Sequence, residues 1–287
     1  MNNALEVKNL GKTYDEFSLN SVSFTLPTGC IMGFVGQNGA GKTTTIRLIL
    51  NMAKRESGAI TILGLDNLAD ELAIKQDLGA VFDEIFFLGA WRVREVEKAI
   101  RGFYKNWNSD TFNSYLAKFA LSPSKRVREL SRGMKMKLML TVAMSHDAKL
   151  LILDEPTSGL DPVARSELLD ILRQYIGDGN KSVLFSTHIT TDLERVADYI
   201  TLIDQGRIIY TGAKDELMEF YYIIKGEQDF LTDAIKSKTI GITLTSSGFS
   251  GMIKSSEARD LPDEIVKVRP VIDEMLVYIS KGGAPLE

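Results

Sequence analysis

The sequence holds a single cysteine, Cys30, and only two histidines among its 287 residues. One thiol excludes an internal disulfide framework and a cysteine zinc site. Cys30 opens an apolar stretch and reads as a small buried hydrophobe. Long apolar runs are also missing: none approaches the ~20 residues that cross a bilayer. The N-terminal residues lack the basic region and apolar stretch of a secretory leader. Work at a membrane would therefore need another chain to span it, with this one on the cytosolic side. Nor is there a basic excess: 34 Lys and Arg stand against 38 Asp and Glu, a formal net charge of −4. That balance argues against a dedicated nucleic-acid binder.

What is present is the composition of a globular protein, 44% hydrophobic and 25% charged, enough for a packed core. Leu5, Val7, Leu19, Val22 and Phe24 alternate through residues 4–24, the pattern of a half-buried antiparallel sheet. Residues 31–35 form an apolar strand that enters a glycine-rich turn, and a helix is expected over 41–52. Further strands are expected at 59–63 and 78–82. Residues 93–121 read as helical, and 131–144 as a second helix. Continuous apolar runs at 150–153 and 183–186 suit buried parallel strands. Residues 199–203 and 207–210 flank an Asp204–Gly206 turn and suggest a hairpin. Strands alternating with helices point to an α/β domain with a parallel sheet. Beyond Gly226 the chain is richer in Ser, Thr and Gly, with a strand expected at 240–245 and a helix at 270–280, Pro270 in its first position and Gly282 as its stop.

The strongest motif is Gly36, Gln37, Asn38, Gly39, Ala40, Gly41, Lys42 and Thr43, which fits the pattern G-x-x-x-x-G-K-[ST] between a strand and a helix. Glycines let the backbone curl round phosphates, and successive N–H groups at a helix N-terminus supply positive potential. Lys42 is expected to reach the β- and γ-phosphates of a nucleotide, and Thr43 to offer a hydroxyl to Mg²⁺. Thr44 continues the phosphate-binding run. The strand at 150–153 ends in Asp154 and Glu155. An aspartate at that edge holds Mg²⁺ in a P-loop nucleotidase, and the next carboxylate can polarise an attacking water as general base.

Four further elements narrow the class. Leu130, Ser131, Arg132, Gly133, Met134 and Lys135 resemble the ABC signature, commonly LSGGQ. Ser158, Gly159, Leu160 and Asp161 resemble the D-loop. Ser186, Thr187 and His188 resemble the H-loop with its switch histidine. Tyr14 stands ahead of the P-loop, where the family places an aromatic that stacks on adenine. By these motifs, all in the family's order over residues 4–225, the chain resembles the ATP-binding subunits of ABC transporters.

The resemblance implies a fold and a mechanism. The fold is an α/β P-loop NTPase of the ABC ATPase type at 1–225, with an antiparallel β subdomain and a helical subdomain at about 84–145. A small α+β C-terminal extension occupies 226–287. Two copies, or this chain and a related ATPase, would pair head to tail over two ATP molecules. Each ATP would lie on one P-loop, with Ser131, Arg132, Gly133 and Asp161 reaching it from the other subunit. His188 would bond the γ-phosphate and place Glu155 and water. An integral membrane permease would be the partner, and nucleic acid would not.

The chain departs from the family pattern in the signature and at the Q-loop. Arg132 and Met134–Lys135 stand where the commonest signature has Gly and Gln. Asp83, followed by Glu84, stands where the Q-loop glutamine is expected, and still offers Mg²⁺ an oxygen. Phe86, Phe87, Trp91 and Arg92 fall where the family forms a groove for the permease. The run at 131–137, the run at 104–107 and the ending at 268–275 resemble ABC-2-type exporters. Within these they resemble small two-component systems of Gram-positive bacteria: bacitracin-resistance-like, YtrB-like and phenol-soluble-modulin-exporter-like ATPases. An amphipathic peptide or antimicrobial would be the cargo. The rival readings are a non-transport ABC ATPase, which would carry a second cassette or a long coiled coil, and a P-loop kinase, which would lack the signature and switch histidine. The extension reads as a packing or dimer-contact element in preference to a ligand sensor.

Overall fold

A computed structural model describes residues 2–282. Strands β1 (Asn3–Tyr14), β2 (Phe17–Pro27) and β3 (Ile31–Val35) are followed by helix α1 (Lys42–Ile49), β4 (Ser57–Ile62), β5 (Leu65–Asp66), the short α2 (Glu71–Ile74) and β6 (Leu78–Val81). Helices α3 (Val93–Ile100), α4 (Ser109–Lys118) and α5 (Arg132–Met144) come next. Then follow β7 (Leu150–Asp154), α6 (Pro162–Tyr175), β8 (Ser182–Thr187), α7 (Thr190–Val196), β9 (Tyr199–Asp204) and β10 (Arg207–Ala213). The last elements are α8 (Lys214–Phe220), β11 (Tyr221–Gly226), α9 (Asp233–Lys238), β12 (Ile240–Thr245), β13 (Gly248–Lys254), β14 (Val266–Val268) and α10 (Ile272–Gly282).

The strands form three sheets. The first, in order β2-β1-β4-β5, is antiparallel, with Leu5 opposite Leu26 and Val7 opposite Phe24. Leu5, Val7, Leu19, Val22 and Phe24 are all buried, so the alternation in the sequence is the inward face of this sheet. The second sheet runs β10-β9-β3-β8-β7-β6. Its strands β9, β3, β8, β7 and β6 are mutually parallel and β10 closes it as an antiparallel hairpin. Every residue of β3, β7 and β8 is buried, which is why their central stretches at 31–35, 150–153 and 183–185 do not alternate, polar residues coming only at the strand ends.

The sheet order brings the chemistry together. Strands β3, β8 and β7 are adjacent and point the same way, so the loops that leave their C-terminal ends emerge side by side. Those loops carry the P-loop, His188 and Glu155. The crevice beyond the carboxyl ends of parallel strands is where α/β sheets bind ligands.

The helical run expected over 93–121 is broken. Helix α3 stops at Ile100, a 3₁₀ turn spans Arg101–Phe103, and α4 begins only at Ser109. Asn108 starts α4, its side-chain oxygen accepting the Thr111 N–H at 2.8 Å, and so competes with a continuous helix. Helix α1 ends at Ile49, short of residue 52, and Asn51 takes a left-handed φ of 55°. Pro270 lies ahead of α10, which starts at Ile272. Cys30 is half-buried at the margin of the core of the antiparallel sheet, and desolvation raises its thiol pKa.

The third sheet, β12-β13-β11-β14, lies in the C-terminal part but takes in residues 221–226, N-terminal to the boundary expected from composition. Its own small core includes Ile224, Phe249, Ile253 and Ile265. Helix α10 lies between this sheet and the body: it packs on β12 and β13 on one side and on α7 on the other, and its Ile272, Met275, Tyr278 and Ile279 belong to the main core. The extension is therefore stitched to the body by its last helix.

Candidate active site

The P-loop connects β3 to α1. Gly41 caps α1 in the left-handed region at φ 113°, and a Cβ there would meet Leu19 Cδ2 at 2.7 Å and Phe17 Cζ at 2.8 Å. Only glycine satisfies both the backbone and the space. Lys42 is 6% exposed. Its ammonium donates to the carbonyls of Gly36 at 2.7 Å and Gln37 at 3.3 Å, and stands 3.2 Å from Glu155 Oε1. A buried cation held by carbonyls and one carboxylate is poised to exchange those partners for stronger anionic oxygens.

Glu155 follows β7 in a left-handed conformation, φ 51°. A non-glycine residue held there is strained, and such strain gathers at functional sites. Two bonds hold its N–H: to the Ser186 carbonyl at 3.1 Å and to the Ser186 hydroxyl at 3.0 Å. The same hydroxyl donates to Asp154 Oδ1 at 2.6 Å. The remaining carboxylate oxygen of Glu155, Oε2, lies 2.8 Å from His188 Nδ1. Lys42, Glu155 and His188 thus form a chain of contacts across three loops. A carboxylate fixed in this way, beside an imidazole and an ammonium, can accept a proton from water.

Tyr14, Gln37, Asn38, Gly39, Gly41, Lys42, Thr43, Thr44, Asp83, Glu155 and His188 line one cleft of about 790 Å³. Gly36 and Ala40 form the back of the P-loop, where the Ala40 carbonyl accepts from Gly206 N–H at 3.0 Å. Asp154 lies buried beneath the cleft. Ser131, Arg132, Gly133 and Asp161 are outside the cleft's lining. Ser131 caps α5 by accepting the Met134 N–H at 3.3 Å. Asp161 caps α6, accepting the N–H groups of Val163 and Ala164 at 3.0 Å each; these bonds, the one from Ala164 foremost, hold its carboxyl below the usual range. Asp83 is on the cleft wall, but its Oδ1 accepts from the Arg132 guanidinium.

Phe17, Glu16 and Arg47 also line the cleft and carry no motif that marks them, and Ser158 lines it from the D-loop motif, where the sequence singles out Asp161. Ser186 sits inside the H-loop triplet, yet its link to Asp154 and Glu155 follows from the β7–β8 register, which sets Asp154 opposite Ser186. The apolar groove lies to one side of the stretch after Asp83. A cavity of about 490 Å³ is lined by Met52, Leu72, Phe82, Ile100, Phe103 and Tyr104, among others. Phe86 meets its margin edge-on through Phe82 at 5.4 Å, whereas Phe87 and Trp91 pack against the main core.

The donor set suits Mg²⁺. Among the described residues no group of three or more His, Cys, Asp or Glu is placed to hold a metal by itself. Mg²⁺ characteristically takes one or two protein oxygens together with substrate phosphates, and the Thr43 hydroxyl and Asp154 carboxylate are hard oxygen donors next to the phosphate-binding loop.

Residues 19–158 match the ABC transporter family model. The Nod factor export ATP-binding protein I of Rhizobium leguminosarum bv. viciae is 36% identical over 225 residues, 75% of this chain and 71% of that protein. The chain belongs to the ATP-binding subunits of ABC transporters. It is an ATPase of that family, binding and hydrolysing ATP. The ABC transporter ATP-binding protein YtrB of Bacillus subtilis (strain 168) is 29% identical over 97% of this chain and 98% of its own length, so that likeness extends through the C-terminal sheet. A solved ATP-binding subunit of an ABC transporter superposes with a TM-score of 0.68 at 28% identity, over 75% of this chain and 91% of that one. Among the described residues of this ABC subunit no helix is long and apolar enough to cross a membrane.

Proposed function

We propose that this subunit powers export through a separate integral membrane permease, at the cytoplasmic face of the membrane, by closing head to tail on a second ATP-binding subunit over two ATP molecules. One observation carries the reading: Ser131, Gly133 and Asp161 stand outside the cleft formed by their own P-loop, Glu155 and His188. They are then available to a nucleotide held by the other subunit, a second copy or a related ATPase. Two further features support it. A Cβ on Gly133 would make only ordinary contacts, at 3.6 Å and beyond, so nothing within the chain demands glycine there. Val163, beside Asp161, is an apolar side chain 68% exposed.

In this reading Lys42 and the P-loop N–H groups hold the phosphates and Tyr14 stacks on the base. Thr43, Asp154 and Asp83 serve Mg²⁺, which supplies charge neutralisation at the phosphates. Glu155 is the general base, oriented by Ser186 and His188. The permease seats a helical segment in the apolar groove, where Leu72 and Phe103 are 83% and 72% exposed. The exporter relatives favour outward transport, with an amphipathic peptide or antimicrobial as cargo.

The test is ATP hydrolysis and oligomeric state with Mg·ATP, for the wild type and Glu155→Gln. The expected result is an inactive variant that accumulates as an ATP-dependent dimer. A Glu155→Gln protein that hydrolyses ATP at the wild-type rate removes the base assignment, and one that stays monomeric removes the sandwich.

A further inference from the structure

Two of the departures from the family pattern touch each other. Arg132, in place of the usual signature glycine, donates from Nη2 to Asp83 Oδ1, the residue in place of the Q-loop glutamine. The same Nη2 lies 3.4 Å from Ser158 Oγ. Asp83 and Ser158 both line the nucleotide cleft. The guanidinium also lies over Gly159, which has φ 66°, and a Cβ at that position would run into it. Arg132 therefore bridges the exit of β6 and the segment after Glu155.

Local electrostatics explain why a partner is needed. Arg132 is the first residue of α5, and the first turn of that helix contains no acid. A cation at a helix N-terminus opposes the helix dipole. Asp83 supplies, from the loop after β6, the negative charge that the helix lacks. Both side chains are about half exposed, 48% and 47%, so the pair is screened and exchangeable.

We propose that Arg132 is a positioning residue that competes with the nucleotide's Mg²⁺ for the Asp83 carboxylate, forming a charge latch between the signature helix and the wall of the ATP cleft. When the carboxylate turns to the cation, Arg132 is released from the loop after β6 at the face where Ser131 and Gly133 meet the second subunit's nucleotide. Loading of one cleft is thereby reported to the signature that serves the other. The inference rests on Asp83 serving the cation, as proposed above.

The test is a double-mutant cycle on binding, with hydrolysis removed from the readout. Dissociation constants for the non-hydrolysable analogue AMP-PNP are measured with Mg²⁺ and with EDTA, for wild type, Arg132→Gln, Asp83→Gln, the double variant and Arg132→Lys. The EDTA series subtracts the loss of a general positive charge near the phosphates. The Mg²⁺-specific affinity of Arg132→Gln is expected to rise up to about five-fold, the size of an exposed ion pair. Arg132→Lys is expected to behave as wild type, and the gain is expected to vanish in the Asp83→Gln background. No Mg²⁺-specific gain, or the same gain with Asp83→Gln, overturns the latch. Asp83→Gln without effect on the Mg²⁺ dependence in the Arg132→Gln background removes the cation role of Asp83 and the latch with it. A Glu155→Gln protein that does not dimerise removes the sandwich but leaves the competition for Asp83 intact.

Discussion

Replacing Ser186 with Ala isolates the hydroxyl that joins the two carboxylates of the site. Ser186 is fully buried, donates to Asp154 Oδ1 at 2.6 Å and accepts the Glu155 N–H at 3.0 Å. The variant removes the donor from a buried carboxylate, which costs about 1.5–3 kcal/mol for a hydrogen bond to a charged group. The Glu155 N–H keeps its bond to the Ser186 carbonyl at 3.1 Å, so the backbone change is smaller than the side-chain loss. Stability should fall by on the order of 5 °C in melting temperature. The catalytic effect should be larger, because the strained left-handed conformation of Glu155 loses one of its two N–H restraints. A base displaced by a fraction of an ångström costs roughly 10- to 100-fold in kcat, while the glycine-rich loop is untouched, so any rise in KM for Mg·ATP comes only through the freed Asp154 carboxylate. Thermal denaturation and steady-state phosphate release measure the two effects separately. A Ser186→Ala protein with wild-type melting temperature and wild-type kcat would refute the assignment of Ser186 as the residue that orients Glu155.

Four other outcomes follow. Gly41→Ala should weaken ATP binding and destabilise the loop by about 1–3 kcal/mol, the cost of forcing a side chain into a left-handed cap; equilibrium nucleotide binding and melting check it. Met275→Ala, at a fully buried position of α10, should cost about 2–5 kcal/mol and loosen the C-terminal sheet from the body; hydrogen exchange should show β11 to β14 opening before the parallel sheet. His146 is buried, stacked on Tyr104 at 3.8 Å, and desolvation holds its pKa below 6.5. The unfolded chain then binds the proton more readily, so His146 should lower stability as pH falls through and below 6.5, with no penalty above it; His146→Gln should flatten that limb of a pH–melting profile. Backbone N–H groups hold the Asp161 carboxyl below the usual carboxylate range, so its cap on α6 should be fully present above that range and be lost as pH falls through the lowered value; amide exchange at Val163 and Ala164 measured down the acid limb reports it.

The motifs were legible because their chemistry depends on short-range residue identity. Gly41 must be glycine to cap α1 at positive φ, and Lys42 and Thr43 must follow it at the helix start. Alternation in residues 4–24 and uniform apolarity at 150–153 state directly which strands face water on one side and which on neither. The break after Ile100 was less visible, since 93–121 keeps a helical pattern on both sides and only the Asn108 cap interrupts it. The sequence likewise marked Asp83 and Arg132 as departures from a pattern, but contained nothing to join them across 49 positions.

Local sequence alone determined the glycine-rich loop at 36–43, the acid pair at 154 and 155, the place of His188 after its strand and the class of fold. Tertiary structure decided which of these meet. The adjacency of β3, β8 and β7 puts Lys42, Glu155 and His188 in contact, the β7–β8 register sets Ser186 under both carboxylates, and the packing of α5 lays Arg132 on Asp83. Backbone conformation and hydrophobic period are properties of neighbouring residues and can be read in order along the chain. Contacts between distant segments depend on strand order, register and helix packing, which exist only once the core has formed.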